Sequence, residues 1–212
     1  MIFGGILTNL LRLTRIDDLT RGDHYFLDAN DDCYFIWEYK RGAGFRGKAN
    51  SLIYNLKKKP SQTKNQAILN HKLNAITECS KTLSEILNPD FIAIATFVPI
   101  PCSKHTSDPE YDHRMEQICR SINGANDVRC LVSQNKTTKA SHNSEQGNRI
   151  SIEELMEVYE IDQSLISPTP TTIVIVDDVL TTGTHFKAMK KILSQQFPQA
   201  RILGFFITRR VI

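Results

Sequence analysis

The residues best suited to chemistry lie together near the C-terminal end, where positions 172–185 read TIVIVDDVLTTGTH. Two adjacent carboxylates, Asp177 and Asp178, close an apolar run, and small hydroxyl-bearing residues around Gly183 follow. Ionised carboxylates accept hydrogen bonds and cannot donate them, so the pair suits sugar hydroxyls or a hydrated Mg²⁺. Thr181, Thr182 and Thr184 offer hydroxyl donors, and Gly183 lets the backbone approach an anion closely. Together they suggest a sugar phosphate, with acids on the sugar and the loop on the phosphate. The same residues could instead cap a strand and make an ordinary turn.

Such a constellation needs elements to hold it. Ile173 to Val176 are all β-branched, and a continuous apolar run of this length suits a strand buried on both faces. Phe186, Met189 and Leu193 recur at helical spacing, and Pro198 ends that pattern. The loop therefore joins the C-terminal end of a strand to a helix N-terminus, whose unpaired N–H groups and dipole attract anions. Ligand crevices of open α/β sheets lie at such places.

The rest of the chain reads as alternating strands and helices. Residues 23–39 suggest a hairpin around the turn-rich 28–32, followed by a basic glycine-rich loop over 41–46. A short helix over 48–58 ends in Lys57, Lys58 and Lys59 before Pro60. A long amphipathic helix is expected over 61–87, with Leu69, Leu73, Ile76, Leu83 and Leu87 inward. Positions 91–99 (FIAIATFVP) form a second apolar run, read as a central strand. A polar loop over 101–109 follows, then a helix to about Ile122 and a short strand over 128–133. Residues 134–149 hold almost no apolar side chains and read as a mobile loop. Ser151 with Glu154 forms a capping box. A last strand is expected over 201–207. This alternation argues for a parallel α/β sheet.

With 212 residues, 41% hydrophobic and 23% charged, the chain is long enough for one elaborated α/β domain. A net charge of +3 is too small to argue for nucleic acid. The basic clusters at 57–59, at Arg41, Arg46 and Lys48, and at Arg209–Arg210 could be solvated faces or could meet phosphates. Five scattered cysteines without a C-x-x-C pair speak against zinc and fit a reducing cytoplasm. The apolar stretch 1–13 is too short to span a bilayer and reads as a packed helix.

The 172–185 segment resembles the phosphoribosyl pyrophosphate (PRPP) signature of type I phosphoribosyltransferases. The order of 34–60, 96–120 (including Val98-Pro99-Ile100-Pro101) and 134–149 is similar to ComF-like members of that family. The resemblance implies a Rossmann-like parallel core flanked by helices. It implies a single domain over 1–212, with residues 1–60 as an N-terminal hairpin/helix hood and 61–212 as the α/β core. It further implies a transferase that joins a nitrogen base to PRPP with Mg²⁺ and releases pyrophosphate. Asp177 and Asp178 would be the catalytic pair. Thr181, Thr182, Gly183, Thr184 and His185 would hold the 5′-phosphate. Cys102, Ser103 and Lys104 would hold pyrophosphate, and Lys136, Lys139 and Arg149 would sit on a flexible lid. The metal would be carried mainly by PRPP, with Asp177 and Asp178 as possible ligands. The acceptor base would lie under the hood, where Trp37, Tyr34 or Phe45 could stack on it.

The chain departs from that family in three ways. His185 stands where a threonine is usual. Position 113, not Arg114, aligns with the helix arginine of ComF-like proteins, and their four-cysteine zinc module has no counterpart here. These departures keep open a PRPP- or nucleotide-sensing protein without turnover, or an accessory factor in nucleic-acid processing. A homodimer or a protein partner is compatible with the sequence. No membrane association is expected.

Overall fold

The computed structural model describes residues 11–42, 44–137 and 150–212. Eight strands and six α-helices occur among them. The strands are β1 (Thr14–Arg15), β2 (Cys33–Lys40), β3 (Thr96–Pro99), β4 (Asp127–Val128), β5 (Val132–Gln134), β6 (Tyr159–Ile161), β7 (Thr172–Leu180) and β8 (Arg201–Val211). The helices are α1 (Lys48–Leu56), α2 (Gln66–Ile86), α3 (Pro89–Ile94), α4 (Arg114–Arg120), α5 (Ile152–Val158) and α6 (Thr184–Gln196).

Six strands form the main sheet in the order β1-β2-β8-β7-β3-β4. All neighbours are parallel except the edge pair β1–β2. The molecule is thus α/β with a mostly parallel sheet and helices on both faces. β7 explains why its sequence shows no polar alternation. Ile173 and Ile175 join one core, with Phe186, Met189 and Leu193 of α6 and Leu155 of α5. Val174 and Val176 join the other, with Leu52, Ile76 and Ile118 of α1, α2 and α4. Both faces are covered over Ile173 to Val176, so each of those positions is apolar. Gly204 of β8 sits where α6 comes closest. A Cβ there would lie 2.8 Å from Phe186 and 3.0 Å from Cys33 Sγ.

Several expectations from the sequence need correction. No hairpin forms over 23–39: β2 is a main-sheet strand parallel to β8, and its only antiparallel neighbour is the two-residue β1. Residues 25–27 are turn and coil, with Phe26 N–H bonded to the Thr182 carbonyl at 2.9 Å. The described residues up to Pro60 therefore supply two strands of the main sheet, β1 and β2, together with α1. The apolar run 91–99 divides into α3 and β3, because Asn88 caps Asp90 N–H and Pro89 takes the first helical turn. The long helix begins only at Gln66, capped by Asn65. Its inward face is carried by Ala75, Ile76, Cys79 and Leu83, while Leu73 is exposed. The helix before Ile122 is restricted to α4, and the strand over 128–133 splits between β4 and β5. β5 pairs with β6 as a separate antiparallel ribbon. The capping box at Ser151 and Glu154 forms as expected.

Candidate functional site

The site arises where two parallel strands part. β3 and β7 pair from Thr96↔Ile173 to Pro99↔Val176, and Ile100 N–H still bonds the Val176 carbonyl at 2.9 Å. Beyond that point β7 continues against β8 alone, through Leu180. Asp177 and Asp178 are the first residues past the split. They border a cleft with the 100–104 loop, at the C-terminal edge of the sheet, where β4 and β7 flank β3 on opposite sides.

Two cavities meet here. The smaller, about 420 Å³, is lined by Pro101, Cys102, Ser103, Lys104, Arg114, Asp177 and Asp178, among others. The larger, about 590 Å³, opens onto Thr181, Thr182, Thr184 and His185, and onto the loop and helix of 39–58. Lys57, Val179, Thr181 and His185 line both. The structure therefore brings Cys102, Ser103 and Lys104 to the acid pair, and the Thr-rich loop to the other side of it. Of the expected lid residues, Lys136 is exposed; Lys139 and Arg149 lie outside the described residues.

The two carboxylates have different surroundings. Asp178 is buried and lies inside an ionic chain. Its Oδ2 accepts from Arg114 Nε at 3.0 Å and Nη2 at 2.9 Å, and Lys57 Nζ lies 3.1 Å from Oδ1. Arg114 Nη1 also donates to Asp112 at 2.7 Å, and Asp112 in turn pairs with the buried Lys72 at 2.7 Å. Lys72 donates as well to the Lys58 carbonyl. Burial pushes the Asp178 carboxyl up, but the charges of Lys57 and Arg114 outweigh it and hold the group well below the ordinary carboxylate range. Asp177 makes one local bond, accepting from Asp178 N–H at 2.7 Å. Burial, and then the charge of Asp178, push its carboxyl up. The pair therefore divides into a braced acid that holds its charge more strongly and a neighbour that takes up a proton more readily.

The loop joins the end of β7 to the N-terminus of α6. Gly183 has φ 87°, a left-handed conformation natural to glycine, and a Cβ there would come within 2.9 Å of Leu27 Cδ2. Its carbonyl accepts from Lys187 N–H at 2.9 Å, in the first turn of α6. Thr182 and Thr184 hydroxyls are 2.8 Å apart. The loop is tied down from below, where the buried His24 ring contacts the Thr181 carbonyl. His185 Nδ1 lies 2.8 Å from the Tyr159 hydroxyl. Burial pushes the imidazole down to about 4, so the ring is neutral near pH 7. When Tyr159 donates to Nδ1, the ring hydrogen sits on Nε2 and remains a donor.

Sequence reasoning missed the ionic chain. Lys57 sits in a lysine run that reads as a solvated helix end, and Arg114 and Asp112 lie in no motif of their own. Lys72 is the one charged residue on the buried face of α2, and that is the local signal that could have pointed to a buried partner. Of the three aromatic candidates, Tyr34 packs edge-on against Phe205 and Trp37 against the core. Of the three, Phe45 alone lines either of these two cavities.

Among the described residues no cluster of three metal-ligating side chains occurs, and no helix is long and apolar enough to cross a membrane. No family model matches this chain, and no curated protein matches it in sequence.

Proposed function

We propose that the protein binds PRPP with Mg²⁺ and transfers its 5-phosphoribosyl group to a nitrogen base, releasing pyrophosphate. The observation that carries this reading is the meeting of two cavities at Asp177–His185. One side offers an anion-binding helix N-terminus, and the other offers acids and cations beside the 101–104 loop. A ligand with a phosphate at one end, a polyhydroxylated ring in the middle and a diphosphate at the other end matches that order.

In the reaction, a ring nitrogen of the base gives its lone pair to the anomeric carbon. The bond from that carbon to the pyrophosphate oxygen breaks, and its electrons leave with pyrophosphate. Any proton on the attacking nitrogen passes to solvent. Positive charge develops on the sugar, so the protein's contribution is positioning and electrostatics. Asp177, when ionised, accepts from a ribose hydroxyl and favours that charge. Asp178, braced by Arg114 and Lys57, keeps both cations at the rim of the diphosphate cavity. The 181–185 loop holds the 5′-phosphate, and this remote anchorage orients the reacting carbon. Ser103, Lys104 and Lys59 face the leaving diphosphate. Magnesium bound to the diphosphate would neutralise its charge. Such an ion commonly relies on one or two carboxylates besides substrate phosphates, and Asp177, which makes no ion pair among the described residues, is the residue that would face it.

A second reading is a PRPP or nucleotide sensor without turnover. It is favoured by the ion pairing of Asp178, whose oxygens already accept from two cations. Incubation with PRPP and Mg²⁺, with and without a panel of bases, separates the two. Base-dependent pyrophosphate release supports the transferase. Tight binding without release supports the sensor, and the absence of PRPP binding refutes both.

A further inference from the structure

The larger cavity has a feature that PRPP alone does not use. Its described lining includes four cationic side chains, Arg41, Lys57, Lys58 and Arg210, and no Asp or Glu. Lys57 is engaged with Asp178. Arg41 and Lys58 make no ion pair with a carboxylate among the described residues, and neither lines the smaller cavity proposed for the diphosphate. Nor do they belong to the phosphate loop: they flank α1 on either side, one just after β2 and one beyond the last helical turn. Two cations thus border this cavity without a carboxylate partner among the described residues.

Aromatic surface accompanies them. Phe45 is 61% and Tyr54 48% exposed, with ring centroids 4.2 Å apart. Lys58 Nζ lies 3.7 Å from the Tyr54 ring centroid. Large rings left open at a cavity mouth are suited to being covered by a planar ligand. The wall is also fixed in place. Asn50 clamps the end of β2, donating to the Lys40 carbonyl at 2.8 Å, and Ser51 Oγ donates to the Phe45 carbonyl at 2.9 Å. A cavity of about 590 Å³ falls within the range of small-molecule sites.

We propose that the acceptor is a planar aromatic heterocycle carrying a carboxylate, stacked on Phe45 with the Tyr54 ring at its edge and its negative charge between Arg41 and Lys58. This assignment of substrate class rests on the phosphoribosyltransferase reading. It differs from that reading in its test, because ring binding is measured separately from PRPP binding.

The experiment is calorimetric titration of the full chain with two matched pairs, nicotinate against nicotinamide and orotate against uracil. Each is run on the protein alone and after loading with PRPP and Mg²⁺. The expected result is that at least one acid binds tenfold or more tightly than its neutral partner. Arg41→Gln with Lys58→Gln removes that advantage, while Phe45→Ala weakens acid and neutral ring alike. The double variant keeps its affinity for PRPP and its thermal midpoint, since both side chains lie outside the phosphate loop and the core. Equal binding of acid and neutral ring, an advantage that survives the double variant, or no ring binding to either form overturns the proposal. If PRPP fails to bind while the acid preference and its loss in the double variant persist, the phosphoribosyl reading falls and the anionic ring site stands.

Discussion

The two cavities share a wall of Lys57, Val179, Thr181 and His185, yet they are finished in different ways. The smaller is braced by ions: Lys72, Asp112, Arg114, Asp178 and Lys57 form one buried chain of alternating charge beneath it. The larger is finished by exposed rings and by Arg41 and Lys58, which make no ion pair with a carboxylate among the described residues. The first is rigid because every charge in the chain has a partner that burial makes costly to lose. The second carries surface that can change with little effect on the fold. One side is constrained by stability, and the other is open to variation in what it binds.

That contrast can be broken most forcefully at the ionic chain. Arg114→Met leaves the buried Asp178 with Lys57 alone, and Asp178→Asn removes the carboxylate that Arg114 and Lys57 share. Each is expected to destabilise the fold by about 3–5 kcal/mol, as breaking a buried pair commonly does. Urea denaturation measures this, and a loss below about 1 kcal/mol would show that the chain is not structural. Gly183→Ala comes next. The left-handed backbone costs about 1–2 kcal/mol for a residue with a Cβ, and Leu27 must also shift. The same variant is expected to lose affinity for inorganic phosphate, read by titration.

Asp177→Asn sharpens the difference between the acids. The folded-state pKa of Asp177 lies above its unfolded value, so its contribution to stability is present below the ordinary carboxylate range and lost as pH rises through the raised value. The variant is therefore expected to be at least as stable as the parent at pH 8, and less favoured at pH 4, while PRPP affinity falls. Thermal midpoints across that range decide it, and a variant that is less stable at pH 8 would contradict the division of roles. The smallest effect is expected on the open side. Phe45→Ala should change stability by no more than about 0.5 kcal/mol, as exposed substitutions usually do.

These regions also differ in how far the sequence revealed them. The phosphate loop could be read because its determinants are local: the β-branched run 173–176, Gly183 and the helical spacing from Phe186 each act within a few residues. The capping box at Ser151 was readable for the same reason. The ionic chain joins the end of α1 to α2, α4 and β7, with Arg114 and Asp178 64 residues apart and Lys57 and Asp178 farther apart still, and long-range pairing leaves no periodic mark. The place of β2 beside β8 was hidden likewise, since strand order is set by packing of the whole sheet. The run 91–94 read as strand because Phe91, Ile92 and Ile94 are all apolar. In the fold Ile92 is buried and Ile94 is 69% exposed on a short helix, so composition misrepresented which side faces inward. Lys104 was legible as a loop cation, but its 3.6 Å pairing with Asp108 was not.

The lysine run at the end of α1 has a consequence for how this site can change. Lys57 lines both cavities, Lys58 the larger alone and Lys59 the smaller alone. Three successive lysines thus divide between two cavities, between a helix end and Pro60. A substitution at Lys58 or Lys59 alters one cavity, whereas one at Lys57 alters both. Insertion or deletion of a single residue between Leu56 and Pro60 would reassign all three at once, removing the brace on Asp178 together with both outer cations. This short stretch should therefore tolerate changes of residue type far better than changes of length.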